Sequence, residues 1–106
     1  MNFALGTVQF GMKYGVANQG NETSLEEVYS ILQLCKKSGI DTIDTAIDYG
    51  TSENKLGQAS VKDFKVVTKI SITDPYKNDI SGWIREQLIS SLERLRINSV
   101  YGLLLH

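Results

Sequence analysis

Four apolar stretches of strand length, at residues 2–8, 40–46, 64–70 and 100–106, are separated by segments that carry helix-period apolar patterns. Strands joined through helices run parallel, because the helix returns the chain to the edge it started from, and such crossovers are right-handed. The predicted order is β-loop-α-β-α-β-α-β. It describes an α/β chain with four parallel strands and three helices on one side of the sheet. In sheets of this kind ligands bind at the C-terminal ends of the strands, so the residues that close each apolar stretch are where chemistry is expected.

The helix boundaries are marked locally. Ser24 and Glu27 form a capping box, Leu25, Val28, Ile31, Leu32 and Cys35 fall on one stripe, and Gly39 ends the helix. Thr51 or Ser52 caps a short second helix containing Glu53 and Leu56, where Gly57 permits close packing or an early end. Glu53 suits the positive end of that helix dipole. Asp79 or Ser81 caps a third helix whose buried face is Ile84, Leu88, Leu92 and Leu95. The glycine-spaced loop over residues 9–20 is expected on the surface. Gly6 and Gly11 do not make a phosphate-binding loop, since Met12-Lys13 follows where Lys-Ser/Thr is required and no G-x-G-x-x-G occurs.

Side chains alternate along a strand, which decides what can meet at its end. Thr42 and Asp44 share one face and Ile43 and Thr45 the other; Val67 and Lys69 oppose Val66, Thr68 and Ile70; Gly102, Leu104 and His106 share a face. Asp44, Lys69 and His106 thus each close a strand, and Tyr49 follows Asp44 on its loop. Taken singly, each has a structural reading: Asp44 with Lys69 as an ion pair, Tyr49 as a loop anchor, His106 as a satisfied sheet residue.

Composition narrows the classes further. Hydrophobic residues at 42%, charged residues at 22% and a single proline describe a globular chain rather than a disordered one. A net charge of -1 gives no electrostatic reason for nucleic acid or an anionic membrane as partner. No stretch approaches the ~20 apolar residues of a membrane span. The one cysteine, Cys35, cannot form an internal disulfide, and its place on an apolar stripe makes it a packed thiol rather than a reactive or metal-binding one. With no signal-like apolar run at the start, the expected location is cytoplasmic, and Asn21-Glu22-Thr23 is a coincidental match to the glycosylation pattern.

Asp44-Thr45-Ala46-x-x-Tyr49-Gly50-x-x-Glu53-x-x-Leu56-Gly57 resembles the signature after the second barrel strand of aldo-keto reductases, NAD(P)H-dependent carbonyl reductases. The resemblance continues in register through Leu5-Gly6-Thr7, Phe10-Gly11, Thr68-Lys69, Ser91-Leu92-x-Arg94-Leu95 and Leu103-Leu104-Leu105-His106. It implies that residues 1–106 form the N-terminal half of the family domain, the first half of a (β/α)8 TIM barrel truncated after its fourth strand; a whole barrel takes ~250 residues. It further implies Asp44, Tyr49, Lys69 and His106 as catalytic residues. By the same resemblance Gly6, Thr7 and Asp44 lie at the nicotinamide end of NADPH, or of NADH, while Phe10, Tyr49 and His106 line the pocket of a small-molecule carbonyl substrate. The chain departs from the family in one place. An Asp is common shortly after the valine that opens the fourth strand, whereas Tyr101 follows Val100 here, and a supporting contact to the site is expected to be missing.

Carbonyl reduction needs a hydride, supplied by a nicotinamide, and a proton for the oxygen. Tyr49 is the expected donor. A free phenol, with a pKa of about 10, gives up its proton reluctantly at neutral pH. An ammonium beside it stabilises the phenolate, and a carboxylate keeps that ammonium charged and in place, which are the parts expected of Lys69 and Asp44. His106 orients the carbonyl oxygen or shares in proton donation. In the family most of the cofactor pocket comes from later strands and loops. The alternative expectation is therefore a non-catalytic half-barrel that binds a partner, or associates with itself, through its bare inner face.

Overall fold

The computed structural model describes residues 2–12, 22–72 and 78–106. Among them one sheet holds β1 (Ala4–Gly6), β2 (Thr42–Asp44), β3 (Lys65–Ile70) and β4 (Gly102–Leu105), in the order β1-β2-β3-β4 with every pairing parallel. Four helices accompany them: α1 (Val8–Gly11), α2 (Leu25–Ser38), α3 (Ser52–Ala59) and α4 (Ile80–Leu95). This is the expected α/β architecture, the first half of a (β/α)8 barrel, with one short helix more than predicted.

The strands are shorter than the apolar stretches, yet single hydrogen bonds carry the sheet past their ends. Lys65 N–H donates to Asp41 O at 2.7 Å, Ile47 N–H to Lys69 O at 3.1 Å, Tyr101 N–H to Val66 O at 2.7 Å and His106 N–H to Ile70 O at 2.8 Å. The first strand is the exception. After Gly6 the chain turns into α1, where Phe10 N–H bonds Thr7 O at 2.9 Å and Met12 N–H bonds Val8 O at 3.2 Å. Phe10 and Gly11 are buried, so the start of the expected surface loop is part of the core instead. The rest of that loop (residues 13–20, with Lys13, Gly15 and Gly20), Asn21 of the glycosylation pattern, and Pro75 within residues 73–77 lie outside the described residues.

Helix α2 starts and stops where its capping residues stand. Ser24 Oγ accepts from Glu27 N–H at 3.2 Å, and Gly39 takes the left-handed conformation (φ 79°) that a residue with a Cβ adopts only at a cost. Thr51 caps α3 without a side-chain bond, and the hydroxyl of Ser52 is turned inward; Asp79 Oδ1 caps α4 through Gly82 N–H at 2.9 Å. Gly57 does not end α3. A Cβ there would stand 2.0 Å from Arg94 O, so the glycine lets α3 and α4 touch backbone to backbone.

Ile43 and Val66 from the sheet meet Val28 and Leu32 of α2, Leu56 of α3 and Leu95 of α4 in one core, joined by Phe10 and Val61. Each fully buried leucine contributes roughly 1.5–3 kcal/mol relative to exposure. The core lies between the sheet and the helices. Among the described residues the other sheet face, with Asp44, Val67, Lys69 and Leu104, carries no helix, and Leu104 is 50% exposed. Among the described residues no helix is long and apolar enough to cross a membrane.

Candidate active site

The register sets Asp44 opposite Val67, which puts Lys69 one same-face step further along the neighbouring strand. From there its ammonium reaches back to Asp44 Oδ1 and donates to Thr45 O at 2.9 Å. The lysine side chain is 14% exposed and the aspartate 44%, so the pair lies at the boundary of the sheet face rather than in the core. Its cation is directed. One donor is spent on the carboxylate and one on a backbone carbonyl, which together fix where the charge stands.

Tyr49 enters from the loop after β2, in a turn where its N–H bonds Ala46 O at 3.2 Å and its carbonyl accepts from Ser52 N–H at 3.0 Å. The Lys69 ammonium lies 5.1 Å from the centroid of the phenol ring. The ring also meets His106 edge to face, with centroids 5.7 Å apart and planes at 88°. His106 Nδ1 stands 4.0 Å from Asp48 Oδ2, an ion pair whenever the imidazole is protonated. The residues closing three successive strands, with one tyrosine from a loop, therefore form a single cluster at the C-terminal edge of the sheet.

The remaining expected site residues divide. Gly6 pairs with Asp44 across the sheet, and a Cβ at Gly6 would meet nothing within 4 Å, so open backbone borders the carboxylate. Thr7 is turned inward instead, its hydroxyl donating to Asp44 O at 3.0 Å, and Ser52 Oγ lies 3.0 Å from it. Its side chain braces the strands and is closed to a ligand. Phe10 is 4% exposed and packs in the core, which corrects its expected place on a substrate pocket: α1 folds the ring under the sheet. Tyr101 stands apart from the cluster. It is 70% exposed at the N-terminal edge, stacked under Lys65, too far along the strand for any residue there to support the cluster. Beside it, Asp41 is held below the usual carboxylate range by the Thr42 hydroxyl and by Lys65.

Two features escaped the sequence reading. Asp48 had no expected part, since an acid on a loop has no pattern that points to a distant histidine. Glu53 was expected to serve the helix dipole, but its carboxylate is 2% exposed and accepts from Thr68 Oγ1 at 2.7 Å, Ser91 Oγ at 3.2 Å and Arg94 Nε at 2.8 Å. Taking a carboxylate out of water costs several kcal/mol, and this full set of donors offsets it. The Ser91-x-x-Arg94 spacing was the available signal, two donors on one helix face.

Half of a (β/α)8 barrel with a carboxylate, an ammonium, a phenol and an imidazole gathered at its C-terminal edge is the class that fold and site define. The aldo/keto reductase family model matches residues 2–106, and the chain belongs to that family. A solved protein of Pseudomonas aeruginosa described as an aldo-keto reductase is similar at 30% identity and a TM-score of 0.79, over 97% of this chain and 41% of its own. One described as a 2,5-diketo-D-gluconic acid reductase B is similar at 28% identity and a TM-score of 0.65, over 97% of this chain and 32% of its own. The aldose reductase of Giardia lamblia, at 19% identity and a TM-score of 0.65 over the same shares, has the same fold. The chain thus spans less than half the length of these solved structures. No curated protein matches it.

Proposed function

We propose that these residues serve the NAD(P)H-dependent reduction of an aldehyde or ketone to an alcohol, with Tyr49 as the proton donor. The observation that carries the reading is the phenol ring with both the Lys69 ammonium, 5.1 Å from its centroid, and the His106 imidazole beside it, Lys69 being tied to Asp44. Tyr49 gives its hydroxyl proton to the carbonyl oxygen as that oxygen becomes negative. Lys69 stabilises the phenolate left behind, and Asp44 keeps Lys69 charged and in place. His106 hydrogen-bonds the carbonyl oxygen and orients it toward Tyr49.

A nicotinamide dinucleotide, when bound, supplies the hydride to the carbonyl carbon. The residues present fit one edge of its flat ring, since Gly6 leaves open backbone beside Asp44. The family's habit favours NADPH over NADH. The activity is that of a closed barrel, to which residues 1–106 contribute the first four strands and the acid side of the chemistry. Resemblance to a protein described as reducing a diketo sugar acid accords with a small carbonyl substrate. No observation favours a separate non-catalytic binding role.

Tyr49→Phe tests the reading. In the full-length protein the variant loses steady-state aldehyde reduction by 100-fold or more, in the range of ~10²–10⁴ that general acid catalysis supplies. Fluorescence titration with NADPH shows nearly parental binding, because the phenol hydroxyl holds little of the cofactor. Retained turnover rules out Tyr49 as the acid.

A further inference from the structure

We propose that Glu53, with Ser52 beside it, is a positioning residue that fixes Lys69 against Tyr49 from behind the sheet; the proposal rests on the carbonyl-reducing reading of the site. Ser52 and Glu53 are consecutive in the first turn of α3, directly after the Tyr49 turn, and Ser52 N–H bonds Tyr49 O at 3.0 Å. Their side chains run to different strands. Ser52 Oγ lies 3.0 Å from Thr7 Oγ1 and 3.1 Å from Thr45 Oγ1, and Thr7 in turn donates to the carbonyl of Asp44. Glu53 Oε2 takes the hydroxyl of Thr68, the residue before Lys69.

Three of the four clustered residues are therefore held through an immediate chain neighbour or their own backbone. Asp44 is held through Thr7 and Thr45, Lys69 through Thr68, and Tyr49 through its own carbonyl. Thr7, Thr45, Ser52, Glu53 and Thr68 are all buried, so water does not compete for these bonds.

The charge on Glu53 needs a geometric explanation, because buried ion pairs are often replaceable by apolar residues without loss of stability. Both carboxylate oxygens are committed: Oε1 takes Arg94 and Ser91 of α4, while Oε2 takes Thr68 of β3. The carboxylate is thereby oriented from both sides, and Thr68 cannot shift without breaking a short bond. Alternation along β3 then sends the Lys69 side chain out on the opposite face, where it meets Asp44 and the Tyr49 ring.

The test compares Thr68→Val, which removes the hydroxyl at nearly constant volume, with Thr68→Ser, which restores it. Glu53→Gln is run beside them, and Val61→Ala serves as a core control outside the hydrogen-bond network. In the full-length protein, kcat and KM for an aldehyde and the thermal midpoint are measured, together with the NMR shifts of the His106 ring protons, which the ring current of the neighbouring Tyr49 displaces. Thr68→Val and Glu53→Gln are expected to lower kcat roughly tenfold to a hundredfold, the scale of a misplacement of up to 1 Å. KM changes little and the His106 signals move. Thr68→Ser recovers both, and Val61→Ala lowers the midpoint while kcat and the His106 shifts stay parental.

Parental kcat with unmoved His106 signals in Thr68→Val overturns the proposal, as does the same loss of kcat and the same signal movement in Val61→Ala. Should Glu53→Gln fail to fold, the Thr68 pair decides alone. Should the parent protein reduce no aldehyde, it is the carbonyl-reducing reading that fails, and the NMR comparison still decides the positioning: signals moved by Thr68→Val and restored by Thr68→Ser uphold it, unmoved signals overturn it.

Discussion

Gly11→Ala puts a methyl group where the structure leaves no room for one. An ideal Cβ at Gly11 stands 2.0 Å from Tyr49 O, 2.2 Å from Ser52 N and 2.7 Å from Thr51 N. All three are backbone atoms, which cannot swing aside as the end of a side chain does. Real Cβ contacts keep beyond 3.0 Å, so α1 and the Tyr49 turn must part by about 1 Å, stretching the 3.3 Å bond from Thr51 N–H to Gly11 O. Gly11 does not have a positive φ, and alanine adds no left-handed strain there; the clash is the perturbation. Overpacking of this kind costs about 1–3 kcal/mol. Each kcal/mol lowers the thermal midpoint of a barrel of ~250 residues by roughly 2–4 °C. Tyr49 moves with its carbonyl, and a reacting group misplaced by ~1 Å loses on the order of 100-fold in rate. Thermal denaturation and steady-state aldehyde reduction therefore both respond, kcat more than KM. A parental midpoint would refute the packing argument. A lowered midpoint with parental kcat would refute the claim that the placement of Tyr49 matters.

Lys69→Met removes the ammonium from Asp44 and from the Tyr49 ring, and activity falls by ~10²-fold or more, measured by aldehyde turnover. Asp44 is open enough for water to replace the lost partner, so the midpoint changes little, and a large midpoint loss would mark the pair as structural. Burial pushes the Cys35 thiol above the usual cysteine range. Its stability contribution is intact below the ordinary thiol pKa of about 8.5 and is lost as pH rises from there through the raised folded value, because only the unfolded chain ionises freely at first. Iodoacetamide at pH 8.5 accordingly labels the native protein slowly and the denatured protein fast; equal rates would contradict the packed thiol. Residues 1–106 expressed alone are expected to self-associate in light scattering, since Leu104 is exposed on the bare sheet face and apolar burial contributes about 25 cal/mol per Å². A monodisperse monomer that reduces an aldehyde would contradict this.

Features that depend on neighbours along the chain were legible before any contact was known. Alternation of period two and period 3.6 gave the element order, Ser24 and Gly39 gave the ends of α2, and strand parity put Asp44, Lys69 and Leu104 on one face. The motif spacing and parity brought four site candidates to one sheet edge, because in a parallel sheet the end of each strand is fixed by sequence order and the edge is shared. Features that depend on distances between residues remote in the chain emerged with the packing. Phe10 became core rather than pocket because α1 turns it under the sheet, and Thr7 became a brace because Ser52 lies over it. Glu53 changed most. In the sequence it is an acid in a first helical turn, and nothing local distinguishes one that faces water from one buried against Thr68 and Arg94; its partners lie fifteen and forty-one residues away, and only the packing of α3 on β3 and α4 brings them to it.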